Sequence, residues 1–230
     1  RRIEVKLSVI NIQDVAEAQL CCGCGACASV SPGEIEMIDV LDQGRRPRFT
    51  HDGAPVDPRS DEAMKVCPGI ALEHTFDQSN PALIRELIPG WGPVLELWEG
   101  YASDQAIRKA GSSGGAASAI ALFAIEQAKM AGVLHIAARP DAPYLNHTVL
   151  STSRDEIFAN TGSRLAPASP VDSLHLIEQA SAPCAMIGKP CDIAAVDKLR
   201  KVRPELDQKL GLTIAIFCAG TPSTNGTLLM

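Results

Sequence analysis

The sequence predicts a small ferredoxin-like iron–sulfur region followed by a mixed α/β domain, an α+β or α/β chain overall. Three observations predict it. Cys21, Cys24 and Cys27 stand at even three-residue spacing in LCCGCGACASVSPG. From Trp98 onward, stretches of helical period alternate with short apolar runs, the texture of strands joined by helices. The 230 residues are 46% hydrophobic and 21% charged, enough apolar material for more than one core.

The chain divides into residues 1–77, a linker at 78–97, and residues 98–230. In the first part, residues 3–10 alternate as a strand and residues 12–20 form a helix entering the cysteine loop. Residues 34–38 alternate strictly, Asp42-Gln43-Gly44 is a turn, and residues 46–50 follow; together they predict a hairpin over that loop. Residues 61–66 form a short helix that carries Cys67. The linker holds Pro81, Pro89, Gly90, Gly92 and Pro93 and one helix, residues 81–87. Beyond it, residues 114–130 have helical spacing and stop before Gly132. Residues 133–138 are an apolar strand. Ser153 and Glu156 frame a capping box that opens a helix to about residue 160. Residues 171–180 are helical, 184–187 a strand and 191–201 helical. Residues 212–218 are a near-continuous apolar strand, the mark of burial on both sheet faces. A further helix begins near the end of the chain, in TPSTNGTLLM, as expected of part of a longer polypeptide.

The run C-x2-C-x2-C opens a bacterial ferredoxin-type motif, which continues x3-C-P. Here Ser31-Pro32 stands in that place. Cys67, followed by Pro68, offers the fourth thiolate, so one 4Fe–4S cluster is expected on Cys21, Cys24, Cys27 and Cys67. Gly23 and Gly25 suit a backbone that wraps tightly. Zinc sites show two separated ligand pairs, which this chain lacks, and 8 Cys in 230 residues is too sparse for a disulfide framework. Cys22 is the spare, its side chain expected to point away. Cys184 and Cys218, on apolar strands, read as core.

Glycine-bearing loops punctuate the second part. Gly111, Ser112, Ser113, Gly114 and Gly115 precede the long helix; they are either an anion cradle at a helix N-terminus or a flexible helix start. Thr161, Gly162, Ser163 and Arg164 offer hydroxyls and a cation. Gly188, Lys189, Pro190 and Cys191 leave a strand and enter a helix, the ligand edge of an α/β sheet. FCAGTPS repeats that arrangement at residues 217–223. Four such loops point to one large phosphate-bearing cofactor. Lys189 and Arg164 either neutralise its phosphates or make surface ion pairs. Cys191 is either a redox or acid group or a small helix-start residue.

The set CCGCGAC, VCPG, GYASDQAIRKAGSSGGAASA, TGSRLAPASP, GKPCDIAAV and FCAGTPSTNGT resembles the coenzyme F420 hydrogenase/dehydrogenase β-subunit family, in order and over nearly the whole chain. The resemblance implies FAD held by residues 111–115, 161–164 and 188–191 in a flavin-binding α/β domain, with iron–sulfur clusters feeding it. It also implies a domain running past Met230. Ser31 departs from members that have two full cysteine motifs, which puts a second cluster in doubt.

The expected function is therefore a flavin- and 4Fe–4S-dependent oxidoreductase, or the flavin subunit of one. It would pass electrons between a one-electron donor (a ferredoxin or partner redox subunit) and a two-electron small-molecule acceptor such as F420. Two rivals are a ferredoxin-dependent reductase of chlorophyll precursors and an electron-relay subunit without its own substrate site. A third is a truncated chain that keeps the cluster and loses the flavin. Free thiols and a cluster point to a reducing cytoplasm. A net charge of −6 and 4% aromatic content argue against nucleic acid. The basic runs at residues 45–48 and 198–203 read as solvated surface. The longest apolar run, residues 116–124, is too short to span a bilayer.

Overall fold

The computed structural model describes residues 9–50, 59–73 and 76–230. The strand expected at residues 3–10 falls almost wholly outside them. The first helix, α1 (Ile12–Glu17), starts at a capping box: the Asn11 side chain accepts from the Asp14 N–H, and the Asp14 carboxylate accepts from the Asn11 N–H. The cysteine loop then turns into α2 (Ala26–Val30). The expected hairpin is present as β1 (Ile35–Val40) and β2 (Gly44–Phe49), paired antiparallel from Ile35↔Phe49 to Val40↔Gly44. α3 (Arg59–Val66) delivers Cys67. The linker helix begins four residues later than expected and is split into a 3-10 turn at Arg85–Leu87 and α4 (Ile88–Trp91), which ends at Gly92.

The rest is built on a four-stranded sheet. Its strands are β3 (Val133–Ala138), β4 (Asn146–Ser151), β5 (Cys184–Gly188) and β6 (Leu210–Ala215), in the order β4-β3-β5-β6. β4 is antiparallel to β3, and the other neighbours are parallel. α5 (Gln105–Ala110), α6 (Ala116–Glu126) and α7 (Arg154–Ala159) precede or follow the first hairpin of this sheet. The predicted helix at 171–180 is broken into a 3-10 turn, Pro170–Ser173, and α8 (His175–Glu178). α9 (Pro190–Arg200) and α10 (Pro204–Lys209) lie between β5 and β6, and α11 (Thr224–Leu229) follows.

Strand alternation sorts the sheet's side chains to two faces. Leu134, Cys184 and Met186 join Val196, Leu199 and Leu206 on one side. Val133 and Ala185 join Ala121, Leu122 and Ile157 on the other. Burial on both faces belongs to β3 and β5; the run 212–218, expected to be a strand buried on both faces, is not one, since β6 ends at Ala215, only its Leu210 is buried, and Ile216 and Phe217 are exposed. The first core also contains Cys24, Ala26 and Val66, so the cysteine segment and the sheet share one apolar cluster. A third, smaller core gathers Ile12, Val15, Cys27, Ile35 and Ala63.

His135 is the one buried imidazole on β3. Its Nδ1 lies 3.1 Å from the Ile136 carbonyl oxygen, which can only accept, so Nε2 accepts from the Ser151 hydroxyl at 2.8 Å. Burial pulls its pKa below the ordinary value. The unfolded chain therefore takes up this proton first as pH falls below about 6.5, and the group's contribution to stability is lost in that window. His135→Gln should lose less stability than wild type between pH 7 and pH 5, read from urea midpoints at each pH. Parallel losses in the two proteins would contradict this.

Candidate functional site

Small residues dominate the cysteine loop, so side chains other than Cys24, which is buried in the main core, do little to anchor it. It is held through its backbone. Gly23 and Gly25 both have φ in the left-handed region, +72° and +93°. A Cβ on Gly25 would stand 2.8 Å from the Asp172 nitrogen, and one on Gly23 2.7 Å from the Arg45 carbonyl oxygen. The loop is thus pressed against β2 on one side and the 3-10 turn at 170–173 on the other. Ser169 donates to the Gly23 carbonyl at 2.7 Å and accepts from Arg45 Nε, while the Val171 N–H donates to the Cys24 carbonyl.

This folding brings Cys21, Cys27 and Cys67 together around the small core of Ile12, Val15, Ile35 and Ala63. Burial, then the charges of Cys21 and Cys67, push the Cys27 thiol up to about 12. Burial raises Cys67 as well. The Gly23 N–H points at Cys21 Sγ, 3.4 Å away. Three thiols in an apolar shell, with a backbone donor aimed at one sulfur, are a donor set that fits an iron–sulfur cluster. Among the described residues, no three His, Cys, Asp or Glu groups are placed to hold a single metal ion. A cubane, with an iron at each of four corners, takes sulfurs farther apart than one tetrahedral zinc, whose Zn–S bonds are about 2.3 Å.

Cys24 does not join that trio as expected. It is buried in the larger core, and Cys22 donates to its sulfur. Cys22, read from the sequence as a spare, accepts a hydrogen bond from Cys191. That bond lowers the Cys22 pKa, but the bond to Cys24, burial and the charge of Cys24 outweigh it and push the thiol up to about 12. Donation to Cys22, then burial, raises Cys191 further. Both thiols therefore stay protonated at neutral pH.

Cys21, Cys22 and Cys191 open onto a cavity of about 440 Å³, walled also by Arg46, Pro167 and Thr221. It lies beyond the carboxyl ends of β5 and β6, where open α/β sheets bind ligands. Cys218, read from the sequence as core, is exposed and lines this cavity. β6 ends at Ala215, three residues before it. Cys184 is fully buried, as expected.

The other two glycine loops meet each other instead. The Ser163 N–H donates to the Ser112 hydroxyl at 2.8 Å. α6 begins at Gly115 with no side-chain cap, so its first-turn N–H groups are open to an anion. Ser112 and Ser113 are exposed, while Gly114 and Gly115 have φ of +71° and +73°. Here the glycines serve the protein's own packing: a Cβ on Gly115 would lie 2.6 Å from the Ile107 carbonyl oxygen, and one on Gly114 2.9 Å from Tyr101 Cβ. Gly162 is also left-handed, with only the Ala110 carbonyl near. Thr161 donates to the Phe158 carbonyl. Arg164 is spent on Asn146 and the Pro143 carbonyl. Lys189 is spent on buried Asp192, 2.7 Å away. Neither cation is free for a phosphate as it stands.

Arg45, Ser169 and Lys198 hold the site and were not legible as functional. Arg45 and Lys198 sit in the short basic runs read as solvated surface, but each is half-buried and bonded across the fold. Only proximity in space marks them out.

The N-terminal part of the family described as coenzyme F420 hydrogenase/dehydrogenase, beta subunit, matches residues 97–175, and its C-terminal part matches residues 182–228. Together these take up more than half of the chain. No curated protein matches it. Among solved structures, a chain of the F420-reducing nickel–iron hydrogenase complex from Methanosarcina barkeri, in a xenon-derivatised form, is similar. The identity is 23% and the TM-score 0.47, over 51% of this chain and 42% of that one.

The packing role of Gly115 is separable from any ligand. Gly115→Ala should destabilise the apo chain by at least about 1 kcal/mol, because it combines a left-handed φ with a backbone clash. Thermal unfolding of cofactor-free protein reads this. An unchanged midpoint would return the glycine to a ligand-clearing role.

Proposed function

The chain belongs to the coenzyme F420 hydrogenase/dehydrogenase beta-subunit family, and on that footing we propose that it is a flavin- and 4Fe–4S-dependent oxidoreductase, or the flavin-bearing subunit of one. The cluster belongs to residues 1–77 and the FAD to residues 98–230, with 78–97 between them. The observation that carries this reading is the position of Cys21. It stands in the converging thiol trio and also on the wall of the cavity at the strand ends. A redox centre there would adjoin a cofactor-sized space directly.

Cys21, Cys27 and Cys67 hold the cluster, with Cys24 supplying the fourth thiolate by turning from Cys22. Residues 188–191 and the cavity receive the flavin ring. The paired loops at 111–115 and 161–164 receive the phosphate-bearing part, through the open N–H groups of α6 and the Ser112 and Ser113 hydroxyls. When bound, the cluster passes single electrons and the flavin exchanges one or two, or a hydride. Cys191, kept protonated by its bond to Cys22 and by burial, holds a proton at the cavity wall. The apolar shell around the thiol trio keeps water from the cluster. The donor or acceptor on the one-electron side is a ferredoxin or a partner redox subunit, and on the other a reducible small molecule. No helix among the described residues is long and apolar enough to cross a membrane, and we place the protein in the cytoplasm.

Anaerobically purified protein should carry FAD and about four irons per chain. Cys67→Ala should lose most of the iron, whereas Cys22→Ala should keep it. Reduced ferredoxin should bleach the flavin band of wild type. In Cys67→Ala it should fail to do so, while dithionite still bleaches the band. Equal reduction of both proteins by ferredoxin would make the cluster structural and end the relay. Normal iron in Cys67→Ala would remove Cys67 from the ligand set.

A further inference from the structure

Lys198 lies on α9, seven residues after Cys191, about two helical turns along. It reaches out of the sheet-bearing part of the chain to the loop that follows α3. Its Nζ donates to the carbonyl oxygen of Cys67 at 3.1 Å and to that of Ala71. The two carbonyls come from residues more than 120 positions earlier in sequence. Both lie just after the helix that delivers Cys67. One side chain thus fixes the path of the chain around this cysteine.

The charge matters as much as the bonds. Lys198 is half-buried. Among the described residues no carboxylate stands within ion-pair distance of it, whereas nearby Lys201 and Arg200 pair with Asp197 and Asp207. A partly desolvated ammonium bonded only to carbonyls is costly unless a counter-charge faces it. What faces it is Cys67, whose carbonyl it bonds and which packs with Cys21 and Cys27; burial raises the Cys67 thiol, and the Lys198 charge is the smallest of the influences that oppose it. Thiolates around a cluster carry net negative charge, which grows by one unit on reduction. A fixed cation nearby therefore favours the reduced form, more strongly in a low-dielectric surround than in water.

We propose that Lys198 positions and tunes the iron–sulfur centre, clamping the Cys67 loop through two carbonyls and supplying the positive charge that raises the cluster's reduction potential. This rests on the reading of Cys67 as a cluster ligand. The helix that presents Cys191 to the cavity would then also set how readily the cluster accepts an electron.

The test uses the full, cluster-loaded chain and three variants, Lys198→Met, Lys198→Gln and Lys198→Arg. Iron and sulfide per chain are measured first, then the cluster midpoint by redox titration followed by electron paramagnetic resonance. Lys198→Met should keep iron and shift the midpoint to more negative potential, while Lys198→Arg should stay near wild type. If Lys198→Met loses iron, Lys198→Gln keeps a donor for the carbonyls without the charge and carries the same expected shift. Loss of iron in both neutral variants but not in Lys198→Arg supports the clamp on the Cys67 loop, since only a long cationic donor then holds it. An unchanged midpoint in an iron-loaded neutral variant overturns it. Wild-type chain without iron would instead overturn the ligand reading on which it rests.

Discussion

The site depends on one buried hydroxyl. Ser169 donates to the Gly23 carbonyl and receives Arg45, so a single side chain joins the cysteine loop, the hairpin and the turn before α8. Each bond contributes about 1 kcal/mol net, yet the arrangement matters beyond that sum. The loop's residues are too small to pack themselves into place. Gly25 lies so close to Asp172 that no side chain fits between them, and the Val171 N–H takes the Cys24 carbonyl. The cysteines are positioned by the surface beneath them. That surface belongs to the same apolar core as Leu134, Leu174 and Met186.

α9 is the second organising element. Its first turn presents Cys191 to Cys22, its middle buries Ala195, Val196 and Leu199 against the sheet, and its last turns carry Lys198 to the Cys67 loop. Its start is fixed by Pro190 at the first helical positions and by Asp192, whose carboxylate accepts from the Lys189 N–H and ammonium. Asp192 is almost completely buried. Burial raises its pKa, opposed by Lys189, and burial likewise opposes the rise that Asp192 causes in Lys189. A pair this desolvated contributes little net stability, but breaking it would strand a charge beneath the cavity floor. Its value lies in holding the helix start in one place.

The sequence showed the mixed α/β architecture because β3 and β5 are short apolar runs and α6 lies within the helical stretch read at 114–130; the burial on both faces read for 212–218 lies in β3 and β5 instead. It showed the hairpin because Ile35, Met37 and Gly44 mark its alternation and turn. β4 was not legible: NHTVLS carries four polar residues, and it is a strand because Ala138 to Val133 offers an edge to pair with. α5 and α10 were also missed, being six residues each, too short for a period to emerge. The convergence of Cys21, Cys27 and Cys67 follows from their spacing and from the Cys-Pro signature. The roles of Arg45, Ser169 and Lys198 do not, because hydrogen bonds that span more than a hundred residues leave no local pattern. The glycines at 111–115 were legible as a turn, but their purpose was not. Only the distances to Ile107 and Tyr101 tell packing from ligand clearance.

Ser31 and Cys67 have one explanation in common. In two-cluster ferredoxins the fourth cysteine of each run ligates the other cluster. Loss of the cysteine at position 31 would therefore cost a second cluster and leave the first intact. The first would be closed by a Cys-Pro from a later segment, the part that Cys67 takes in the proposed site. Ser31 is almost completely buried, and its hydroxyl has no partner among the described residues. An orphaned buried hydroxyl costs about 1–3 kcal/mol, so serine is not there for stability. Its small volume and its backbone serve instead: its N–H donates to the Cys27 carbonyl and its own carbonyl accepts from Glu34 and Ile35. These bonds end α2 and start β1. Position 31 thus keeps the cysteine helix joined to the hairpin, a task that survives without a second cluster.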